Sequence, residues 1–518
     1  MQGATYLVDR DYEIGEIDRR LFGSFVEHLG RTVYNGIYEP GHPEADEQGF
    51  RKDVIRAVKE AGISLVRYPG GNFVSAYDWK NGIGPVAQRP KILDPAWQAL
   101  ETNRIGTDEF ADWCRKAGVE LMEAVNLGSG TPESAAQLVE YCNHAAGSRW
   151  SDLRIQNGHA DPYGVKLWCL GNEMDGEWQI GALSSEDYGK KALEAAKYMK
   201  QIDPSIKLVA CGSCCCETPT YPDWNRVVLE HIYDTVDYLS LHRYYSYDAL
   251  HQLFYKSEDN ISDAAAFSVD LQKFIHTVLC AADFIQTKKH SKKKINISFD
   301  EWNVISNSNP PANNKELWRE SAEDGQEIFN VLDAVICSSI LCTFLKNADR
   351  VKVACQSLLV NCGGMFYTAK GGSLVKNTTY YPFSEMAAFA KGISLQDRVT
   401  CGLLKTDHHG EAPSVQSACA WNPEKREVAV FLANFNSDSV LLDMDLRSFG
   451  ELKPIEHIVL SDGDVTAANT FEEPERVVPR RHDLAKPDHG KLSAELPPVS
   501  WNMLRFTCES SINHIHSI

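Results

Sequence analysis

The chain has 518 residues, more than one compact core accommodates, so a barrel-sized domain plus one further domain is expected. Its 52 basic residues are outnumbered by 71 acidic ones, and the resulting formal charge of -19 argues against a nucleic-acid partner, because phosphate binding needs a basic surface. The sequence has no apolar run fit to span a bilayer and no secretory signal in MQGATYLVDRDYEIG; with 15 scattered cysteines, these features point to a cytoplasmic protein with free thiols and no membrane partner.

In chain order, residues 4–16 read as a strand and turn outside the main repeat. Residues 17–31 (IDRRLFGSFVEHLGR) give a first barrel strand with Glu27 and His28 at its end. An amphipathic helix follows from about Gln48 to Ala61, stopped by Gly62, and the strand ISLVRYPGGN then ends near Arg67 and Asn72. Thr107 is a candidate cap for a helix that Gly118 ends, ahead of the strand VELMEAVNLG. Thr131-Pro132 opens another helix, and Ser184 or Ser185 the one after it. Further strands are read at 206–213, 236–245 and 351–361, with a long helix around Ile328 to Leu345 before the last. The alternation amounts to about eight strand-then-helix units, the pattern of a closed parallel (β/α)8 TIM barrel. After about residue 390 the runs become short, alternating and turn-bounded, as in an antiparallel β-sandwich, with a surface loop from Glu472 to His489.

Two strands stop on carboxylates. The apolar run in VKLWCLGNEMDG (165–176) ends at Gly171-Asn172-Glu173, and KINISFDEWN (294–303) ends in Asp300-Glu301-Trp302-Asn303. The C-terminal rim of a parallel barrel is where its chemistry sits, and two carboxylates there suggest glycoside hydrolysis, in which one donates and recovers a proton and the other attacks the anomeric carbon. Glu173 and Glu301 are the candidates; Asp300 is read as pointing to the other side of an alternating strand and as a structural partner for nearby donors, and Glu177 as a surface residue. Glu27, Arg67, Asn72, Asn172, His242, Tyr244 and Gln356 fall near strand ends, where they could bind a polyol or orient the carboxylates, and Trp97 could stack on a sugar. A buried Glu27–Arg67 ion pair is the plainer reading of those two residues.

Other features are read conservatively. Cys211 with Cys214-Cys215-Cys216 lacks the second cluster or spaced histidines of a zinc site, and the basic run Lys288 to Lys294 reads as a solvated helix end. Gly70-Gly71 lacks phosphate-loop spacing. A metal-dependent isomerase-type barrel using Glu173, Asp300, Glu301 and His242 is the competing enzyme class, and a non-catalytic sugar-binding barrel the competing non-enzyme.

SFVEHLGR (24–31), VRYPGGNF (66–73), WCLGNEMDG (168–176), LHRYY (241–245) and FDEWN (299–303) resemble, in order, the motifs of glycoside hydrolase family 51, the α-L-arabinofuranosidases. The resemblance implies a retaining, cofactor- and metal-free enzyme with Glu173 as acid/base and Glu301 as nucleophile. Glu27, Asn72, Asn172, Tyr244 and Gln356 match positions that bind the furanose or hold the nucleophile, and Trp97 matches a substrate-side aromatic. It further implies that residues 1–16 join a jelly-roll-like C-terminal sandwich (389–518), leaving 17–388 as the catalytic barrel, and that the molecule is a homo-oligomer, often a hexamer. The expected substrates are arabinan or arabinoxylan oligosaccharides trimmed from the non-reducing end; related furanosidase, β-xylosidase or endoglucanase activities are the alternatives within the family. Two stretches depart from the family pattern: Val304-Ile305-Ser306-Asn307 replaces the usual aromatic pair on the leaving-group side, and Gln356 is flanked by Cys355 and Cys362-Gly363-Gly364. Glu173 is expected to be held protonated by burial and by the charge of Glu301.

Overall fold

A computed structural model describes residues 2–246, 260–305, 317–321, 328–406 and 410–508. Eight parallel strands close into a barrel in chain order: Gly23–Phe25, Leu65–Tyr68, Glu120–Val125, Leu167–Leu170, Lys207–Cys211, Tyr238–Ser246, Asn296–Ile305 and Val351–Gln356, the last pairing with the first. Helices cover the barrel, so its strands are buried on both faces and read as continuous apolar runs; all four residues of Leu167–Leu170 are buried. The first strand is shorter than its sequence suggests, because Arg19–Phe22 forms a 3-10 turn whose Arg20 N–H donates to Asp18 at 2.9 Å.

Local chemistry sets the helix ends. Thr131 accepts from the Ser134 N–H at 3.1 Å with Pro132 in the first turn, and Ser184 does the same for Asp187 ahead of Ser185–Ile202. The helix read from Gln48 starts at Lys52, because Asp46 accepts from the N–H groups of Gln48 and Phe50, each at 2.9 Å, and holds that stretch in a turn. Thr107 is the first helical residue rather than the cap; Glu109 reaches back to the Gly106 N–H at 2.9 Å. Four helices of the described residues, Arg149–Gln156, Asp223–Ile232, the 29-residue Asn260–Lys288 and Tyr380–Phe389, have no counterpart in the sequence reading. The third leads into the basic run, where Lys288 pairs with Glu230 at 2.7 Å on the surface.

Nine further strands form a curled sheet, the C-terminal β-sandwich. Its order is Arg480–His482, Leu452–Leu460, Ser500–Cys508, Glu427–Asn434, Val415–Asn422, Ile393–Thr400, Gln2–Glu16, Val440–Asp445, Lys491–Leu496. Pairing is antiparallel except where the N-terminal strand Gln2–Glu16 runs parallel to Val440–Asp445. Tyr6, Val8, Leu395, Val430, Leu442 and Phe506 meet in its core. The stretch 472–489, read as a loop, contributes the edge strand Arg480–His482. Helix Val331–Leu345, fifteen residues all buried, lies between barrel and sheet, which is why it is apolar all round.

Candidate active site

Glu173 follows the fourth barrel strand, Glu301 lies within the seventh, and the two meet at one rim. One carboxylate oxygen of each and a ring nitrogen of His242 all lie within 4.8 Å of one another. Glu173 sits at φ 44, a left-handed backbone that side chains seldom adopt, in a turn closed by the Gly176 N–H donating to the Glu173 carbonyl at 2.8 Å. The turn presents the carboxylate to two donors: His242 Nδ1 lies 2.9 Å from Oε1, and the Trp178 indole N–H donates to Oε2 at 2.7 Å.

Glu301 is held from two other strands. Arg67 Nη1 donates to its Oε1 and the Tyr244 hydroxyl to its Oε2, each at 2.7 Å. Arg67 is fully buried; its second arm donates to Asn172 Oδ1 at 2.7 Å, and its Nε lies 3.4 Å from Asp300. The Glu27–Arg67 ion pair is therefore not formed. Asp300 also does not point away: Arg67, Ser240 and His242 all reach it, because the strand's pairing slips between Ser298 and Glu301 and brings successive carboxylates to the interior.

Glu27 occupies the far wall. Its Oε1 accepts from the Phe73 N–H at 2.9 Å and from the Trp97 indole at 2.7 Å, so half-buried Trp97 uses its polar edge on Glu27. Its Oε2 faces the Glu301 side of the site across Gly71, where a β-carbon would come within 3.1 Å of it and 3.0 Å of Glu301 Oε1. A β-carbon on Gly70 would collide with Glu27 Cγ at 2.4 Å, so the Gly70-Gly71 pair is there for close approach. Asn72 accepts from Asn172 Nδ2 at 3.3 Å. Gln356 is fully buried and donates to Asn303 Oδ1 at 3.3 Å, a place behind Glu301 rather than a contact to either carboxylate.

The electrostatics reverse one expectation. Burial alone would raise the Glu173 carboxyl, but the hydrogen bond and charge of His242, the Trp178 indole and Arg67 bring it below the usual range. Burial would likewise lower His242, yet Glu301, Asp300 and Glu173 around it raise it well above an ordinary imidazole. The proton of the pair thus rests on His242, and Glu173 is the anion. Glu27, by contrast, is pushed up to about 8 by burial and by the charge of Glu301. A carboxyl accepting two hydrogen bonds at Oε1 keeps its proton on Oε2, so at neutral pH Glu27 offers an O–H donor to the cavity.

Among the described residues, Glu173, His242 and Glu301 are the group with metal-ligand spacing, and the thiols of 211–216 are not part of such a group. All fifteen cysteines are free. Sequence reasoning missed Trp178, 54% exposed and bonded to Glu173, and Ser357, whose Oγ lies 2.7 Å from the Tyr244 hydroxyl. Trp178 was within reach of inspection, five residues past Glu173 at the barrel mouth; Ser357 gave no signal of its own. Of the departure that follows Asn303, Val304 and Ile305 continue the strand, whereas Ser306 and Asn307 lie outside the described residues.

A parallel barrel that brings two carboxylates from its fourth and seventh strands to one rim has the architecture of a barrel glycosidase. Comparison with known proteins narrows the class. The Alpha-L-arabinofuranosidase 1 domain matches residues 57–261 and the Alpha-L-arabinofuranosidase C-terminal domain residues 300–500. An intracellular exo-α-(1→5)-L-arabinofuranosidase of Halalkalibacterium halodurans is 47% identical, covering 97% of this chain and 98% of that protein. An exo-α-(1→6)-L-arabinofuranosidase of Bifidobacterium longum is 43% identical over 97% of each chain. A solved family 51 α-L-arabinofuranosidase from Bifidobacterium longum superposes with a TM-score of 0.91 at 38% identity, covering 98% of this chain and 100% of that one. The chain belongs to the α-L-arabinofuranosidases of glycoside hydrolase family 51.

Proposed function

We propose that this exo-acting α-L-arabinofuranosidase removes terminal non-reducing arabinofuranose from α-(1→5)-linked arabino-oligosaccharides by double displacement. The observation that carries the mechanism is that one oxygen of the Glu173 carboxylate and one of Glu301 lie within 4.8 Å of each other, close enough for the pair to act without a water between them. Retaining glycosidases hold the pair about 5–5.5 Å apart, whereas inverting ones leave about 6.5–9.5 Å for a water. Glu301, oriented by Arg67 and Tyr244, attacks the anomeric carbon and forms a glycosyl ester. Glu173 protonates the leaving oxygen with the proton resting on His242, passed along the 2.9 Å contact between them. As Glu301 bonds to the sugar its charge ceases to support the imidazolium, so the proton moves from His242 through Glu173 to the leaving oxygen while the glycosidic bond breaks. Glu173 then takes a proton from the water that cleaves the ester and returns it to His242, restoring the resting state.

Neutral Glu27, Asn72 and Asn172 bind the furanose hydroxyls, and exposed Trp178 beside the acid/base receives the leaving sugar. Residues 17–388 form the catalytic unit, while 1–16 and 389–518 build the sheet that braces it. The relative from Halalkalibacterium halodurans is named intracellular, and among the described residues the helices include none long and apolar enough to cross a membrane; we read the enzyme as cytoplasmic. The family resemblance makes it a homo-oligomer, with a hexamer the expected size.

The test is hydrolysis of an aryl α-L-arabinofuranoside by the wild type, Glu173→Ala and Glu301→Ala, with and without chelator. Fast cleavage, indifferent to chelator and lost by about 10³-fold or more in Glu301→Ala, is expected. Chelator-sensitive turnover, or Glu301→Ala turning over as the wild type does, would overturn the assignment.

A further inference from the structure

Tyr244 has one proton and two oxygen neighbours. Its hydroxyl lies 2.7 Å from Glu301 Oε2 and 2.7 Å from Ser357 Oγ. A bond to an ionised carboxylate is the stronger of the two, so the phenolic proton goes to Glu301. The Tyr244 hydroxyl is placed to donate to either oxygen; with its proton on Glu301, the serine turns its own proton to the phenol oxygen, a bond that by itself lowers the phenol. Donating into that oxygen polarises the phenol and strengthens what it gives to Glu301.

Ser357 is not left to find this position by chance. Its N–H donates to the Trp302 carbonyl at 3.0 Å, and its carbonyl accepts from Asn303 Nδ2. Asn303 in turn donates to the Gly363 carbonyl at 2.8 Å and accepts from Gln356 Nε2 at 3.3 Å. The seventh strand thus carries Glu301 and, through Trp302 and Asn303, grips the turn holding the serine that serves Glu301's own donor. Ser357 is 7% exposed, so water does not compete freely for its hydroxyl.

We propose that Ser357 is a positioning residue that commits the Tyr244 proton to Glu301, with Asn303 and Gln356 fixing the serine in place. The proposal rests on Glu301 as the nucleophile. Tyr244 is suited to the part: burial, then the charge of Glu301, raises its phenol well above the ordinary value, so it stays a neutral donor through the working range. The charged and titratable groups facing Glu301 are Arg67, Glu27, His242, Tyr244, Glu173, the adjacent Asp300 and the Cys355 thiol of the eighth strand. Ser357 itself carries no charge at any pH, so replacing it alters the site through the hydrogen bond alone.

The experiment is the pH profile of kcat/KM for an aryl α-L-arabinofuranoside with wild type, Ser357→Ala, Tyr244→Phe and the double variant, each checked for native thermal unfolding. Ser357→Ala is expected to lower kcat/KM about fivefold, the scale of one hydrogen bond, and to move the acid limb to higher pH, because the ionised nucleophile loses support. In the Tyr244→Phe background the same change should cost nothing further. An acid limb superimposing on the wild type, or a loss equally large without the phenol, would overturn the role. Should Ser357→Ala not fold, Ser357→Cys, similar in volume and a weak donor, reads the same limb against the same two outcomes. Glu301→Ala run alongside separates the two levels: wild-type turnover there would remove the nucleophile assignment itself, whatever the serine variants do.

Discussion

Glu27 is a carboxyl whose ionisation falls just above neutrality. With its carboxyl raised to about 8, it stays a donor at neutral pH and turns into a second anion facing Glu301 in alkali. The wild-type kcat/KM is expected to decline above that value, approaching about tenfold per pH unit, while Glu27→Gln, which keeps a donor and cannot ionise, loses this limb. The stability counterpart has a definite sign. A carboxyl raised in the fold contributes fully below its ordinary range and loses that contribution as pH climbs toward 8, so Glu27→Gln should show a flatter thermal stability between those limits. Identical alkaline limbs would argue against neutral Glu27. Gly71 tests the spacing of the same wall. A methyl there would stand 3.0 Å from Glu301 Oε1 and 3.1 Å from Glu27 Oε2. Gly71→Ala is expected to lose activity by about tenfold or more, read as kcat/KM of the folded variant. Glu173 and Glu301 were legible as residues because apolar strands stop on them. The orientation of Asp300 was not, since the register slip before Glu301 leaves no mark on the alternation of FDEWN. Nor could the sequence tell that the proton rests on His242, which depends on three carboxylates arriving from two other positions on the rim.

The element that brings Trp97 to Glu27 is a hairpin of two short strands, Ile92–Asp94 and Ala99–Glu101. Asp94 shapes its tip by accepting from the N–H groups of Ala96 and Trp97 at 3.0 and 3.2 Å. At its base, Glu101 Oε2 lies 2.7 Å from His28 Nδ1, the residue after Glu27, and its other oxygen takes the Tyr34 hydroxyl. Burial would raise the Glu101 carboxyl, but His28, Tyr34 and the Asn103 N–H bring it below the ordinary range. Glu101→Gln should weaken this anchor at a cost of ~1–3 kcal/mol and raise KM severalfold with a smaller change in kcat, as measured by calorimetry and steady-state kinetics. Equal loss in kcat and kcat/KM would place the hairpin's effect in the reaction step instead. Elements of this kind were the least visible in the sequence. Helices with Thr131-Pro132, Ser184 or Gly118 at their ends announced themselves through capping chemistry. The three-residue strands of the Trp97 hairpin and of Gly23–Phe25 are too short for any period to register, and Gln48 to Arg51 has a helical pattern that the Asp46 turn overrides.

At the scale of the molecule, the barrel and the sheet are one construction. The N-terminal strand crosses to the sheet and pairs on both sides, with Ile393–Thr400 and Val440–Asp445, before the chain enters the barrel. Helix Val331–Leu345 packs on three sheet strands from the barrel side, and its Asn330 cap holds it at the start through the Asp333 N–H at 3.1 Å. This architecture fixes the seventh and eighth strands, and with them Glu301 and the turn of Ser357, against a broad apolar support. The alternation of strands and helices made the barrel legible, and the change of texture near residue 390 the sheet; that the N-terminal strand joins the sheet came only from the family resemblance, and its parallel seating only from the structure, because pairing across four hundred residues leaves no local pattern. The central claim, that Glu301 becomes covalently bonded to the sugar while Glu173 moves the proton, is tested most directly by mass spectrometry. Glu173→Ala is mixed with an aryl α-L-arabinofuranoside whose leaving group needs no acid, quenched and digested. The peptide containing Glu301 is expected to carry one added arabinofuranosyl residue. Turnover of that substrate without an adduct, or an adduct on another carboxylate, would contradict it.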